Sequence, residues 1–263
     1  MSRTVKCVFV HGWGMNGSVW QSCVELLPNW VEAKVIDLPG HGLNAQSVKT
    51  RDSMSVNQVY DFDSLVKSVA DSVSDSVVEP VIWVGWSLGG LVSMRIAELY
   101  PEKVSGLCLV SSNPCFVKKT GWQLAIDKNV FDGFASALSM DIKKTIGRFL
   151  ALQVAGTGTS KATLKKLRDT LETNGLATQE ALELGLDVLS TVDLRLSLKK
   201  LNIPVQWFFG DRDKLVPVDI VNSIQSLSPT SEISVIKGAA HAPFLSHTDE
   251  FLSVLTGFFA RFK

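Results

Sequence analysis

The sequence has no excess of charge. Its 26 lysines and arginines match 26 aspartates and glutamates, so no global field favours nucleic acid or a membrane surface as partner. Long apolar runs are missing too. No window approaches the roughly 18 apolar residues of a membrane span, and the run from Val5 to Val10 is too short for a signal peptide. A soluble, cytoplasmic protein is the expectation. Cysteine is sparse: Cys7, Cys23, Cys108 and Cys115 show no CxxC spacing, which argues against a disulfide framework or a zinc site. Three of the four stand among apolar residues, where buried free thiols are common. No carboxylate cluster accompanies His41, His241 or His247, so no metal site is expected. Internal repeats and low-complexity tracts are absent as well.

What is present is an alternation of strands and helices, which implies a parallel sheet with helices on both faces. Strand-like runs occur at Val5 to Val10, Ala33 to Leu38, Val81 to Trp86, Gly106 to Ser111, Val205 to Phe209 and Glu232 to Lys237. Helical spacing marks Ser18 to Leu27, Phe62 to Val73 and about Thr248 to Phe262, while residues 43–60 read as a polar surface loop. From 120 to 192 the alternation stops, and only helices are expected: Trp122 to Leu138, Ile142 to Ala155, Lys161 to Glu172 and Glu180 to Leu189. An all-helical insert after a strand of an α/β sheet reads as a lid. With 263 residues, one α/β domain plus that insert fits best, with residues 1–114 and 193–263 forming the core and residues 115–192 the lid.

The chemistry starts at Gly85-Trp86-Ser87-Leu88-Gly89, which follows one of these strands and opens a helix. A serine turned sharply out of a strand adopts strained backbone angles, and side chains at Gly85 and Gly89 would collide with neighbouring elements. The turn exposes the hydroxyl and aims the first amides of the next helix at the same place. A serine nucleophile needs a base, and the base needs an orienting acid. His241, in the small-residue turn Gly238-Ala-Ala-His-Ala-Pro-Phe, follows a late strand; Asp211 and Asp213 both follow the strand before it.

These motifs resemble those of the α/β-hydrolases and, within them, the esterases that act on the methyl ester of pimeloyl-acyl-carrier protein in biotin synthesis. The resemblance is carried by His11-Gly-Trp-Gly-Met-Asn, Asp37-Leu-Pro-Gly, Gly85-Trp-Ser-Leu-Gly-Gly-Leu-Val, Ser111-Ser-Asn-Pro-Cys-Phe, Arg148-Phe-Leu-Ala-Leu-Gln, Thr191-Val-Asp-Leu-Arg and Ala239-Ala-His-Ala-Pro-Phe. It implies an α/β-hydrolase fold with an inserted helical lid, a catalytic triad of Ser87, Asp213 and His241, and an oxyanion hole from the amides of Trp13 and Leu88. Asp213 is preferred to Asp211 because it occupies the family's acid position; Asp211 is then expected to hydrogen-bond its own turn. His11 is expected to hold its loop rather than carry protons. Two departures stand out. Edge strands common ahead of the first strand are shortened or missing, and the 43–60 loop is long.

The insert carries a charge argument of its own. Between Asp141 and Arg168 seven basic residues, Lys143, Lys144, Arg148, Lys161, Lys165, Lys166 and Arg168, face one acid. Lys144 and Arg148, and Lys161 and Lys165, are spaced to share helix faces. Acyl-carrier proteins are acidic and their prosthetic arm bears a phosphate, so the resemblance makes Lys144, Arg148, Lys161 and Lys165 the expected carrier contacts. It also places Phe149, Leu152 and Gln153 beside Trp13 and Leu88 against the acyl chain, with lid core as the alternative for Leu152. The implied activity is cofactor-free hydrolysis of the methyl ester by a monomer. A broad carboxylesterase or thioesterase, a non-catalytic hydrolase-fold binding protein and a lyase on the same fold remain alternatives.

Overall fold

A computed structural model of the chain describes residues 4–47, 61–74 and 79–263. In chain order the elements are β1 (Val5–Val10), α1 (Gln21–Val24), β2 (Val31–Ile36), α2 (Phe62–Ser74), β3 (Val81–Trp86), α3 (Leu88–Leu99) and β4 (Val104–Val110). Four helices come next, α4 (Lys128–Met140), α5 (Ile142–Val154), α6 (Ser160–Asn174) and α7 (Gln179–Thr191). The chain closes with α8 (Arg195–Lys200), β5 (Val205–Gly210), α9 (Val221–Leu227), β6 (Glu232–Ile236), α10 (Pro243–Ser246) and α11 (Thr248–Phe259). Most of the 43–60 loop lies outside the described residues; Gly42–Ser47 is a short 3-10 turn.

The strands form one six-stranded sheet in the order β2-β1-β3-β4-β5-β6, and every pairing is parallel. Helices cover both faces of a parallel sheet, so its inner strands read as continuous apolar runs rather than alternating ones. β3 and β5 accordingly are buried at every position. The two outer strands are only part-buried and carry Glu32, Lys34 and Glu232, charges that discourage pairing with another chain at an exposed edge. Because β1 lies between β2 and β3, the chain leaves it in opposite directions. The crevice beyond the carboxyl ends of β1 and β3 is the switch point where α/β folds place their sites.

The helices α4 to α7 stand between β4 and β5, strands that are adjacent in the sheet. Asp141 caps α5 by accepting from the Lys144 amide at 2.9 Å, and Thr178 caps α7 by accepting from that of Ala181 at 3.2 Å. Gly175 ends α6 at φ 82°, where a side chain would be strained. The first helix of the insert starts six residues later than its spacing suggested, at Lys128 rather than Trp122. Residues 117–126 fold back on themselves instead, with bridges between Val117 and Ile126 and between Lys119 and Trp122. The Trp122 indole N–H donates to Cys115 O at 2.9 Å and Asn113 Oδ1 at 3.1 Å, and these bonds pin the segment down.

The insert is tied to the sheet domain by polar contacts. Thr178 N donates to Gly40 O at 2.8 Å, Asn16 Nδ2 donates to Thr170 O at 3.3 Å, and Lys166 Nζ donates to Leu245 O at 3.0 Å. All four cysteines are buried and free. Burial pushes the Cys23 thiol up to about 12, well away from the reactive thiolate.

Candidate active site

Ser87 stands between β3 and α3 at φ 55°, ψ −115°. Among the described non-glycine residues only Ser87 and Ser111 have positive φ; such backbone strain costs roughly 1–3 kcal/mol and persists where surroundings enforce it. The enforcement is visible in the glycines. A Cβ on Gly85 would lie 2.4 Å from Gly89 O, one on Gly89 2.5 Å from Val10 O, and one on Gly90 2.3 Å from Ser112 Oγ. The elbow is therefore pressed against the end of β1 and the loop after β4. Ser87 N donates to Val110 O at 2.9 Å, and Ser112 Oγ donates to Ser87 O at 2.9 Å. Leu88 opens α3, so its amide has no acceptor within the helix and sits at the positive end of the helix dipole.

The loops after β5 and β6 meet just as closely, since a Cβ on Gly210 would lie 2.3 Å from Ala240 O. That contact brings Asp213 and His241 together: Oδ2 of the aspartate is 2.7 Å from Nδ1 of the histidine, and both side chains are buried. The other carboxylate oxygen, Oδ1, accepts from the amides of Leu215 at 2.8 Å and Val216 at 3.0 Å. Both carboxylate oxygens of Asp213 thus have partners, and one of them faces Nδ1 of His241. Nε2 of His241 is buried and has no hydrogen-bond partner among the described residues. Asp211 takes a different role from both readings offered by its loop. Its Oδ1 accepts from Gly238 N at 2.6 Å, which staples the β5 loop to the β6 loop rather than to its own turn.

The backbone of His241 is held as well. Its carbonyl accepts from the Trp86 indole at 2.7 Å, and its amide donates to Gln153 O at 3.0 Å, at the end of α5. Neither partner was foreseen. Trp86 lay in plain view inside the elbow motif, but its acceptor is 155 positions away.

Across the crevice, Gly12 comes so near that a Cβ there would lie 3.3 Å from Ser87 Cβ. The loop from His11 to Gly14 is kept in place by His11, whose Nε2 accepts from Leu38 N at 3.0 Å while Nδ1 donates to Gly12 O at 2.8 Å. This pairing requires the neutral imidazole, and burial lowers the His11 pKa to about 4. His41, with its ring centroid 5.0 Å from that of His11, is lowered to about 3, first by burial and then by the neighbouring His11. Trp13 is buried, its indole N–H donating to Leu182 O of α7 at 2.8 Å and its ring meeting Phe149 edge-on at 4.8 Å.

The three residues of α5 expected beside the acyl chain separate by burial. Phe149 and Gln153 face inward, while Leu152 is 36% exposed and lies outside the buried core of the insert. The inward face of α5 repeats through Thr145, Ile146, Phe149, Leu150, Gln153 and Val154, and Leu152 falls outside that stripe. Lys144, Arg148, Lys161 and Lys165 all point to solvent, with Lys165 in an ion pair with Asp169 at 2.7 Å. Among the described residues no three His, Cys, Asp or Glu side chains gather as a metal ion would need, and no described helix is long and apolar enough to cross a membrane.

A strained serine elbow and a buried His–Asp pair, on loops at the carboxyl ends of a parallel sheet, define a hydrolase-type site. The chain belongs to the α/β hydrolase fold family, whose model matches residues 8–248. Within that family it is similar over nearly its whole length to proteins named pimeloyl-[acyl-carrier protein] methyl ester esterase. The one from Aliivibrio fischeri strain MJ11 is 37% identical over 251 residues, 95% of this chain and 92% of that protein. The one from Serratia marcescens is 36% identical over 253 residues, 96% of this chain and 93% of that protein. Solved structures share the fold at lower identity. An esterase from Exiguobacterium antarcticum superimposes with a TM-score of 0.82 at 18% identity, covering 99% of this chain and 93% of that one. A bromoperoxidase from Bacillus anthracis gives 0.83 at 21% identity with the same coverage.

Proposed function

We propose that this chain is a serine carboxylesterase that hydrolyses the methyl ester of pimeloyl-acyl-carrier protein, releasing methanol and the free pimeloyl-carrier protein. The observation that carries the reading is the His241–Asp213 pair at 2.7 Å beside the strained Ser87, in a chain that matches esterases of that name over more than nine-tenths of its length. Residues 115–192 serve as the lid.

In this reading His241 Nε2 takes the proton of Ser87 Oγ as that oxygen attacks the ester carbonyl. Its lone pair is available because Asp213 holds the proton on Nδ1. Negative charge moves onto the carbonyl oxygen and is met by the amides of Leu88 and Trp13, on the two loops that Gly12 brings against Ser87. Collapse of the tetrahedral species expels methanol, which takes the proton from His241. Water, deprotonated by the same histidine, then attacks the acyl-enzyme and Ser87 is restored. Phe149 and Gln153 line the acyl side from α5. The exposed Lys144, Arg148 and Lys161, with Lys165 beside its partner Asp169, attract an acidic carrier protein and the phosphate of its arm.

The test is direct. Incubation with methyl pimeloyl-carrier protein is expected to remove one methylene unit from the carrier's mass, with Ser87→Ala slowing this by several orders of magnitude. Unchanged substrate mass with the wild-type protein, or full activity in Ser87→Ala, would overturn the reading.

A further inference from the structure

The helix α7 carries none of the residues assigned to the chemistry, yet it touches both residues whose amides are assigned to the oxyanion. A Cβ on Gly185, in the middle of α7, would lie 2.5 Å from Trp13 Cδ1, 3.1 Å from Trp13 Nε1 and 3.2 Å from Leu88 Cδ2. One turn earlier, the carbonyl of Leu182 accepts the Trp13 indole proton at 2.8 Å. The indole cannot retreat from this grip. It is 1% exposed, and Phe149 of α5 closes its other side at 4.8 Å. Glycine in a helix interior is otherwise unfavourable, since it gives up more backbone freedom than alanine. Here its bareness makes a notch that receives the two side chains at once.

We propose that Gly185, with the carbonyl of Leu182, is a positioning element for the oxyanion hole, so that seating of the helical insert and assembly of the hole are one event. This rests on the reading of Trp13 and Leu88 as the oxyanion donors. The insert sets the Trp13 ring, the ring adds to the hold that His11 already has on the loop between β1 and α1, and the amide of Trp13 is delivered to the same point as that of Leu88. When α7 withdraws, the indole loses its acceptor and the side chain of Leu88 loses its stop. The Gly12–Trp13 peptide is then held only by the bonds of His11 Nδ1 and Met15 N to Gly12 O, and the Trp13 amide is aimed less tightly. The role is one of placement: neither Gly185 nor Leu182 touches the reacting carbonyl.

Two variants test it, assayed on p-nitrophenyl acetate so that carrier-protein docking plays no part. Gly185→Ala forces the indole and Leu88 apart while improving the helix. Trp13→Phe keeps the main-chain amide but cannot bond Leu182 O, and it decides the matter if Gly185→Ala does not fold. Each is expected to lower kcat by roughly 10- to 100-fold with KM changed less than about threefold, because the lost interaction exists only in the transition state. Affinity for an aryl trifluoromethyl ketone, which forms a tetrahedral oxyanion on the serine, should fall in step with kcat, a link that loosened packing alone does not produce. Wild-type kcat and wild-type ketone affinity in both variants would overturn the inference and leave the esterase reading standing. Full activity in Ser87→Ala would overturn the esterase reading, and this inference with it.

Discussion

The indole of Trp86, the residue immediately before Ser87, donates its proton to the main-chain carbonyl of His241 at 2.7 Å. The strand that presents Ser87 thereby also fixes the height of His241. Trp86→Phe keeps the edge-to-face contact with Phe244, whose ring centroid lies 5.1 Å away, but leaves the carbonyl without this donor. Stability should fall by about 1 kcal/mol, as for one buried hydrogen bond, and kcat by roughly tenfold through misplacement of the base. Paired melting curves and steady-state kinetics check it; an unaltered kcat would mean that the loop holds His241 unaided.

The two aspartates after β5 should part company on mutation. Asp213→Asn removes the negative charge that orients His241, and kcat should drop about 10⁴-fold with the fold intact. Asp211→Asn weakens the staple to Gly238 N and removes the ion pair with Arg212 at 3.8 Å, so kcat should stay within about threefold while stability declines by about 1–2 kcal/mol. The reverse order of activity losses would reassign the acid.

Acid should destabilise the protein through two histidines that have no part in the chemistry. His11 and His41 are buried neutral, with pKa values lowered to about 4 and about 3, whereas in the unfolded chain they titrate near 6.5. Between those limits the unfolded state binds more protons, so stability is complete above about pH 6.5 and drains away as the pH falls. Each contributes about 1.4 kcal/mol per pH unit, on the order of 4 kcal/mol for the pair by pH 5. His41→Gln should roughly halve the stability lost between pH 7 and pH 5, as measured by urea unfolding. An equal loss in variant and wild type would sink this account.

Replacing Lys144, Arg148, Lys161 and Lys165 together by alanine should raise KM for the carrier-bound ester more than about tenfold and leave p-nitrophenyl acetate hydrolysis unchanged. Added salt should weaken the wild type towards the variant. Lys165 already bonds Asp169, so Lys165→Ala alone should have the smallest effect of the four. Equal KM values for wild type and quadruple variant would remove the carrier-docking role.

The legible parts of this protein are those where a local rule leaves few options. A serine at φ 55° demands glycine around it, and buried parallel strands demand unbroken apolar runs, so the elbow and the sheet could be read directly. The face of α5 was only partly legible, because Leu152 is as apolar as its buried neighbours and nothing local says which turn faces inward. The start of α4 was hidden for another reason: Trp122 fits a helical period, but its indole is bound by Asn113 and Cys115 in a segment that folds back. Least legible were contacts between distant segments, such as Trp86 with His241 or Gly185 with Trp13. A glycine in mid-helix was the one available sign of the latter.

The placement of the helical insert also sets when the site can exist. β4 ends at Val110 and its sheet neighbour β5 begins at Val205, so closing that pair requires the whole insert to be looped out or folded first. Ser87 precedes the insert, and Asp213 and His241 follow it. During synthesis the strained elbow can therefore be made long before His241 has been translated. A chain truncated ahead of β5 should not react with a fluorophosphonate, however well its first strands fold. On the proposed mechanism the serine should therefore stay chemically silent until nearly the last element of the domain is in place.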